Sequence, residues 1–285
     1  MKIRIVSPTG LLHGLRCRLQ FQGHEIVEEL SRDHDDVTIE ESKELASAIV
    51  HELGMNPIRA NQDYFISKFW TATSWSEETL LSFHLNKLLP GDLGPLGAAG
   101  AVCRRCEKPL FERLFEQPAL KEFLKLSGHI GFFSLGMSKC DVVSAHMGIP
   151  GMGFYGFCQM AFGALLDHLV SEPKMPKEWM TSLVLARWPY PDREETRRIR
   201  VEIPSKVFEH FWPWARVEGF CGNSFQTTDT LIGVATSFGD TLEHSMWFAE
   251  TTCKRIEVEN KLYHKNGFTE VDQRVWKTMQ IVDQG

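Results

Sequence analysis

The stretch Gly91-Asp92-Leu93-Gly94-Pro95-Leu96-Gly97-Ala98-Ala99-Gly100-Ala101 carries four glycines and one proline in eleven residues. Neither a helix nor a strand interior accommodates that density, because glycine loses the most backbone entropy on ordering and proline removes an amide donor. The chain must turn tightly here, and regular elements have to be built on either side. Ala145 to Gly156 gives the same signal a second time. The two loops are expected to face one cleft, the natural place for a ligand.

The flanking segments are legible by period. Lys2 to Val6 alternates as a strand and runs into Ser7-Pro8-Thr9-Gly10, after which Leu11 to Gln22 reads as a helix stopped by Gly23. His24 to Val27 reads as a second short strand. From Glu25 to Glu44 there are nine acids and two bases, a solvated face, and Thr38 with Glu41 opens a helix through Leu45, Ile49 and Leu53 to Gly54. Short strands are expected at Tyr64 to Ile66 and Leu80 to Phe83, a helix pair or one long helix at Pro109 to Leu126, and a strand at Gly131 to Met137. Phe157 to Leu169 is an apolar helix, and Trp179 to Arg187 a buried strand. Arg187-Trp188-Pro189-Tyr190-Pro191 is expected to be extended, because proline disfavours helix before it. Ile199 to Ile203 and Leu231 to Thr236 read as strands, and Phe211 to Trp214 as a turn. A helix from about Thr241 to Ile256 is expected to be capped by Asp240, with Glu243 in its first turn.

Composition narrows the class. The 285 residues carry 31 bases against 37 acids, a net charge of −6, with 43% hydrophobic and 24% charged residues. A chain of this length buries about 75% of its unfolded surface and needs no staple. Disordered, collagen-like and coiled-coil classes are excluded. No apolar run approaches the roughly 20 residues of a membrane helix, and the start MKIRIV-SPTG lacks the apolar region of a signal peptide. The expectation is a cytoplasmic protein without membrane contact. Seven cysteines at irregular positions (17, 103, 106, 140, 158, 221 and 253) argue for reduced thiols.

Few chemical motifs stand out. Cys103-Arg104-Arg105-Cys106 is a C-x-x-C, but no second pair or matching histidines accompany it, so no metal site is assigned. There is no G-x-S-x-G elbow. The turn from Ser7 to Gly14 is neither a dinucleotide fingerprint nor a P-loop; its glycines at 10 and 14 suit either anion binding by helix amides or a plain tight turn. Trp188, Tyr190, Phe211, Trp212 and Trp214 lie near Arg193, Arg197, Arg198 and Arg200, which suits stacking on a nucleobase or single strand, or an aromatic core beside a solvated charge run. The acidic balance disfavours a general nucleic-acid partner.

Lys87-Leu88-Leu89-Pro90-Gly91-Asp92-Leu93-Gly94-Pro95 resembles the K/R-L-x-x-G-D-x-G-P-N-T-G-G-M-G-A loop of glycinamide ribonucleotide synthetase (phosphoribosylamine–glycine ligase), of the ATP-grasp superfamily. Further segments follow in the family's order. Gly10-Leu11-Leu12-His13-Gly14-Leu15 resembles its G-R-E-H-A-L turn, keeping Gly10, His13 and Leu15. Thr181 to Pro191 resembles V-T-V-V-L-A-S-x-G-Y-P, and Leu231 to Leu242 resembles V-L-G-V-T-A-L-G-D-T-L. The likeness is good from about Lys87 to the C-terminus.

The resemblance implies ATP-dependent joining of a carboxylate to an amine, with ATP and Mg²⁺ entering only by way of it. The chain departs from the family where that chemistry resides. Against the metal-binding strand E-F-N-V-R-F-G-D-P-E stand Val142 to Gly151: Gly148 and Pro150 persist, while Val142 and Ser144 replace the glutamate and asparagine, and Ile149 and Gly151 the later acids. An aliphatic side chain cannot ligate a hard cation. Ser67-Lys68-Phe69 stands where the family carries an E-E-F hinge. The segment before Lys87 is also short for a lysine-bearing nucleotide subdomain.

The expected fold is α/β to α+β, a reduced ATP-grasp-like core with a central mixed sheet. Residues 1–60 would form an N-terminal βα remnant and acidic helix, 61–172 the core, and 173–285 a C-terminal strand and helix module. The expected function is that of a degenerate ATP-grasp protein without independent ligase activity, a subunit or accessory in nucleotide or DNA-base modification. It would pair with itself or an active relative, and the compact, divergent relatives in bacteriophage genomes suggest a viral setting. The alternatives are an active carboxylate–amine ligase acting on a nucleotide, with Lys87, Asp92, Asp141 and His146 as groups to test, and a nucleotide- or nucleic-acid-binding module. Lys87 and Asp92 are the catalytic candidates. Gly10, His13, Gly14, Gly91, Asp92, Gly94, Pro95, Gly97 and His146 are the ligand-binding ones.

Overall fold

Strict alternation of large apolar with small or polar residues recurs in segment after segment of this chain, and it assembles them into one broad sheet. The structure is a computed structural model that describes residues 2–6, 25–29, 64–71, 73–85, 100–106, 109–126, 131–138, 141–147, 177–190, 197–213, 215, 219–264, 273, 275–280 and 282.

The strands are β1 (Lys2–Val6), β2 (Glu25–Glu29), β3 (Tyr64–Trp70), β4 (Trp75–Leu85), β5 (Gly100–Cys106), β6 (Gly131–Ser138), β7 (Asp141–Met147), β8 (Trp179–Arg187), β9 (Ile199–Glu202), β10 (Phe211–Pro213), β11 (Gly219–Cys221), β12 (Ser224–Thr227), β13 (Leu231–Gly239) and β14 (Lys261–Leu262). The helices are α1 (Pro109–Phe115), α2 (Pro118–Leu126) and α3 (Leu242–Arg255), with a 3₁₀ turn at Ser205–His210. Nine strands form the main sheet in the order β10-β13-β8-β5-β4-β3-β6-β7, with β14 beside one end of β8. Each pairing in it is antiparallel. The expected mixed sheet is thus corrected: parallel pairing occurs between β1 and β2, outside the main sheet. β11, β12 and β9 make a separate three-stranded sheet.

Period-two alternation gives the main sheet two distinct faces. Tyr64, Ile66, Trp70, Leu81, Phe83, Val102, Cys106, Phe133, Leu135, Met137, Leu183 and Leu185 belong to one continuous core cluster. Helices cover that face. Phe111 of α1 meets Tyr64 at a 6.4 Å ring separation, and Phe115 meets Trp75 at 5.0 Å. The indole N–H of Trp75 donates to the Phe115 carbonyl at 2.7 Å, closing the C-terminal end of α1. Ser245 of α3 bonds Thr181 of β8 at 2.7 Å, and Val275, Met279 and Val282 near the C-terminus join the same cluster.

Local rules explain where elements stop. Pro118 starts α2 and divides the Pro109 to Leu126 region into two helices, since proline is accepted in a first turn but not in an interior. The N-cap of α3 is Thr241 rather than Asp240: its hydroxyl accepts the His244 N–H at 3.1 Å. At the other end Lys261 Nζ donates to the carbonyls of Cys253, Lys254 and Ile256 at 3.3, 2.8 and 2.8 Å, a cation on oxygens that the helix leaves open. Residues 211–213, expected as a turn, form the edge strand β10, a position where Pro213 costs no ladder bond. Arg187 to Tyr190, expected to be extended, instead forms a tight turn with a cis Trp188–Pro189 bond, closed by the Tyr190 N–H on the Arg187 carbonyl at 2.9 Å. The glycine-rich loop ends sooner than expected, because Gly100 and Ala101 already belong to β5.

β5 links the two parts of the sheet, and Gly100 makes the contact possible. A Cβ there would lie 2.1 Å from the Ser182 carbonyl oxygen of β8. Gly100→Ala is expected to cost about 1–3 kcal/mol, the usual penalty of forced overpacking. Urea unfolding would measure it, and an unchanged midpoint would contradict this account of the seam.

Candidate functional site

The opposite face of the main sheet differs in chemistry. Alternation places there Phe65, Ser67 and Phe69 of β3, Leu80 and Ser82 of β4, Ala101 and Cys103 of β5, Phe132 and Ser134 of β6, Met180 and Ser182 of β8, and Thr236 of β13. None of the described helices packs on this face. Leu80, Cys103 and Met180 form their own buried cluster, with Phe132 and Phe238 against it.

Five hydroxyls punctuate this surface. Ser67 and Ser134, directly paired across β3 and β6, share a 2.6 Å hydrogen bond. Thr236 accepts from the Trp212 indole N–H at 3.3 Å. Ser82 and Ser182 are 1% and 0% exposed, and their side-chain oxygens have no hydrogen-bond partner. Among the described residues, charge on this face is confined to one end, where Arg105 meets Glu78 at 3.2 Å.

The helix-covered face holds a buried cation. Lys68, 3% exposed, pairs with Glu112 of α1, whose other carboxylate oxygen accepts from Thr79 at 2.6 Å. Both Glu112 oxygens are thereby used, which ties α1 to β3 and β4.

Of the residues singled out from the sequence, Lys87, Asp92, Gly10, His13, Gly14, Gly91, Gly94, Pro95 and Gly97 lie outside the described residues. His146 lies on β7 at the position opposite Ser134. Leu85, which precedes the first glycine-rich stretch, pairs with Gly100 near its end. Met147, where β7 ends within the second stretch, pairs with Phe133; that row continues through Lys68 to Thr79 of β4. Thr79 is six residues from Leu85, about 20 Å along a strand. The sheet positions flanking the two stretches are thus far apart along the strands, while residues 91–99 and 148–156, on which the expectation of one shared cleft falls, lie outside the described residues.

The C-x-x-C behaves as strand geometry requires. Residues i and i+3 on a strand point to opposite faces, so Cys106 enters the helix-covered core and Cys103 joins Leu80 and Met180 on the other side. Among the described residues no group of three or more His, Cys, Asp or Glu side chains is placed to hold a metal ion.

The aromatic and arginine region is likewise resolved into core and surface. Tyr190, Phe211 and Trp212 are buried, while Trp188 is 60% exposed. Arg197 pairs with Glu259 at 3.4 Å and Arg200 with Glu202 at 2.9 Å. An open groove of about 420 Å³ lies beside them, lined by Arg200, Glu202, Glu257, Val258, Glu259 and Lys261. Its mixed and largely paired charge is a poor match for a phosphate backbone. Among the described residues no helix is long and apolar enough to cross a membrane.

No protein-family model matches the chain, and no curated protein does. Solved structures do. Phosphoribosylamine–glycine ligase from Thermotoga maritima superposes with a TM-score of 0.52 at 16% identity, over 72% of this chain and 55% of that one. The chain has the fold of that ligase. It spans 55% of the ligase's length, and the low identity fits a divergent relative. N5-carboxyaminoimidazole ribonucleotide synthetase from the same organism, a related ATP-grasp enzyme, aligns over 92% of this chain and 82% of that one at 8% identity, with a TM-score of 0.36.

With the ligase fold in place, the fit of Mg²⁺ can be tested on β7. In the register of the sequence resemblance, Val142 occupies the position of the family's glutamate. It is 1% exposed and packs in the helix-covered core with Met137. The residue present does not fit the ion, and no step through Mg²⁺ is derived.

Sequence reading missed the hydroxyl-bearing face. Its signal is the recurrence of serine at alternate positions of apolar strands, as in Leu80-Leu81-Ser82-Phe83 and Met180-Thr181-Ser182-Leu183, a pattern that looks like an ordinary solvent-facing side until the sheet is assembled.

Burial pushes the Cys103 and Cys253 thiols far above their ordinary range, whereas Cys221 is exposed. Since the thiolate is the reactive species and must be reached by the reagent, pulse alkylation of the native protein should label the exposed Cys221, with Cys103 and Cys253 slower by about two orders of magnitude or more. Peptide mapping after the pulse reads this directly. Comparable labelling of Cys103 and Cys221 would contradict the burial.

Proposed function

We propose that this chain is a non-catalytic protein built on the fold of an ATP-grasp carboxylate–amine ligase, serving as a subunit or accessory in nucleotide or DNA-base modification. The observation that carries it is Val142. At the place where the resembled ligases require an oxygen ligand for magnesium, this chain has an aliphatic side chain, 1% exposed and integral to the core. A carboxylate could not replace it without becoming a buried charge, so the position serves packing.

The neutral character of the second sheet face, whose central residues are buried, supports the same reading. Phosphoryl transfer places several negative charges in the site and depends on cations to offset them. Among the described residues, the centre of this face offers serines, a thiol and a thioether. The nucleotide side of the proposal rests on the fold and on the retained Gly91 to Pro95 sequence. The subunit role rests on a ligase fold that lacks the expected metal ligand.

The isolated chain is expected to show no ATP hydrolysis above background with Mg²⁺, in the presence or absence of amino acids, and no calorimetric signal for Mg-ATP. Turnover abolished by Asp92→Ala would overturn the proposal in favour of an active ligase. Val142→Glu should create no turnover and should destabilise the fold by about 3 kcal/mol or more through burial of an unpaired charge. A partner that co-purifies at fixed stoichiometry would support the subunit role; a chain that purifies alone from its native cell would count against it.

A further inference from the structure

The outer side of α3 combines an exposed aromatic centre with opposite charges at its two ends. Ser245, Ala249 and Thr252 are buried on the inner side, and the helical repeat leaves Glu243, His244, Trp247, Thr251, Lys254 and Arg255 along the outward stripe. Trp247, near the middle of that stripe, is 56% exposed. It belongs to a row of rings. His244 lies 6.4 Å from it and Phe248 6.3 Å, and His210 of the 3₁₀ turn meets Phe248 edge-on at 4.7 Å. An aromatic centre with charges kept to the rim is the composition found where protein surfaces meet.

The first turn of α3 carries Glu243 and the last turn Lys254 and Arg255. Lys254 bonds Glu250 at 2.8 Å, whereas Glu243 and Arg255 have no ion-pair partner among the described residues. This polarity suits the helix dipole by itself, but the dipole gives no reason for an indole in water between the two ends. A stripe that is acidic at one end, aromatic in the middle and basic at the other is complementary to its own reversed copy. Two α3 helices laid antiparallel, with a two-fold axis at the level of Ala249, bring Trp247 of each copy across from Thr251 of the other. Glu243 of each copy then comes opposite the last turn of the other, within reach of its Lys254 and Arg255. Each contact occurs twice, as an isologous interface requires.

We propose that this chain self-associates through the outer side of α3, the occupant of that surface being α3 of a second copy. The helix has 14 residues and is about 21 Å long. Even with the 3₁₀ turn beside it, that is less than the roughly 800 Å² per partner of a standard interface, so the dimer forms at concentrations on the order of tens of micromolar. The inference rests on α3 alone and holds whether or not the chain has ligase activity.

The test is sedimentation velocity of the full chain from about 5 to about 500 μM, a range that brackets the expected affinity. The wild-type protein should pass from monomer to dimer across it. Trp247→Ala should weaken the dimer about tenfold or more and leave the melting temperature unchanged, because the indole is exposed in the monomer. Glu243→Lys and Arg255→Glu should each weaken it about threefold to tenfold, since each reversal acts at two symmetric contacts, and both leave the Lys254–Glu250 pair in place. Mixed in equal amounts, these two variants should associate with each other more tightly than either does with itself, because each reversed charge then meets an opposite one. Should a reversal variant melt early, Glu243→Gln and Arg255→Gln should still weaken the dimer, about twofold. A monomer throughout the range would overturn the proposal and leave the surface to a different protein. A dimer indifferent to Trp247→Ala, or a mixture no tighter than its components, would overturn it as well.

Discussion

The main sheet depends on the seam between β5 and β8. β3, β4, β6 and β7 come from one stretch of sequence, and β8, β10, β13 and β14 from another; β5 is hydrogen-bonded to both groups. The seam is a backbone-to-backbone contact in which Gly100 lies against the Ser182 carbonyl, and no larger residue fits. Arg104 reinforces it from the helix-covered side. Its guanidinium bonds Glu178 at 2.8 Å, lies over the Trp179 ring at 5.3 Å and reaches the Met279 sulfur at 3.7 Å. Strands from residues 61–172 and from residues 173–285 thus contribute to one sheet.

What could be read from the sequence follows from the range of the interactions involved. Strand and helix identities, such as β8 from its apolar run and α3 from its capped start, are local and legible. The break at Pro118 was legible only as one of two possibilities, a helix pair or one long helix. The order of strands was not, because pairing joins residues far apart and the sequence carries no direct record of it. β10 was read as a turn because Trp and Pro are conspicuous in loops; its strand character depends on Gly233 of β13, where a Cβ would lie 2.4 Å from the Phe211 ring. The short turn at Arg187 to Tyr190 was misread because proline limits helix but does not by itself choose between extended chain and turn.

The site divides in the same way. Glycine-rich stretches announce themselves, and their likeness to the ligase loop led to the fold that the structural match supports. The hydroxyl-bearing face did not announce itself, because serine in a strand carries no signature of which face will be covered. C-x-x-C was conspicuous in sequence yet inert in structure: once the segment is a strand, period two separates Cys103 from Cys106 across the sheet. Motif spacing has meaning only after the element that carries it is known.

The helix-covered face of the sheet shows how tightly packing constrains the residues on it. The helix-covered face is crowded with aromatic and aliphatic side chains and holds the buried Lys68 on a carboxylate whose two oxygens are both engaged. Substitution there is constrained by packing, which is why Val142 is read as a structural residue rather than a failed ligand.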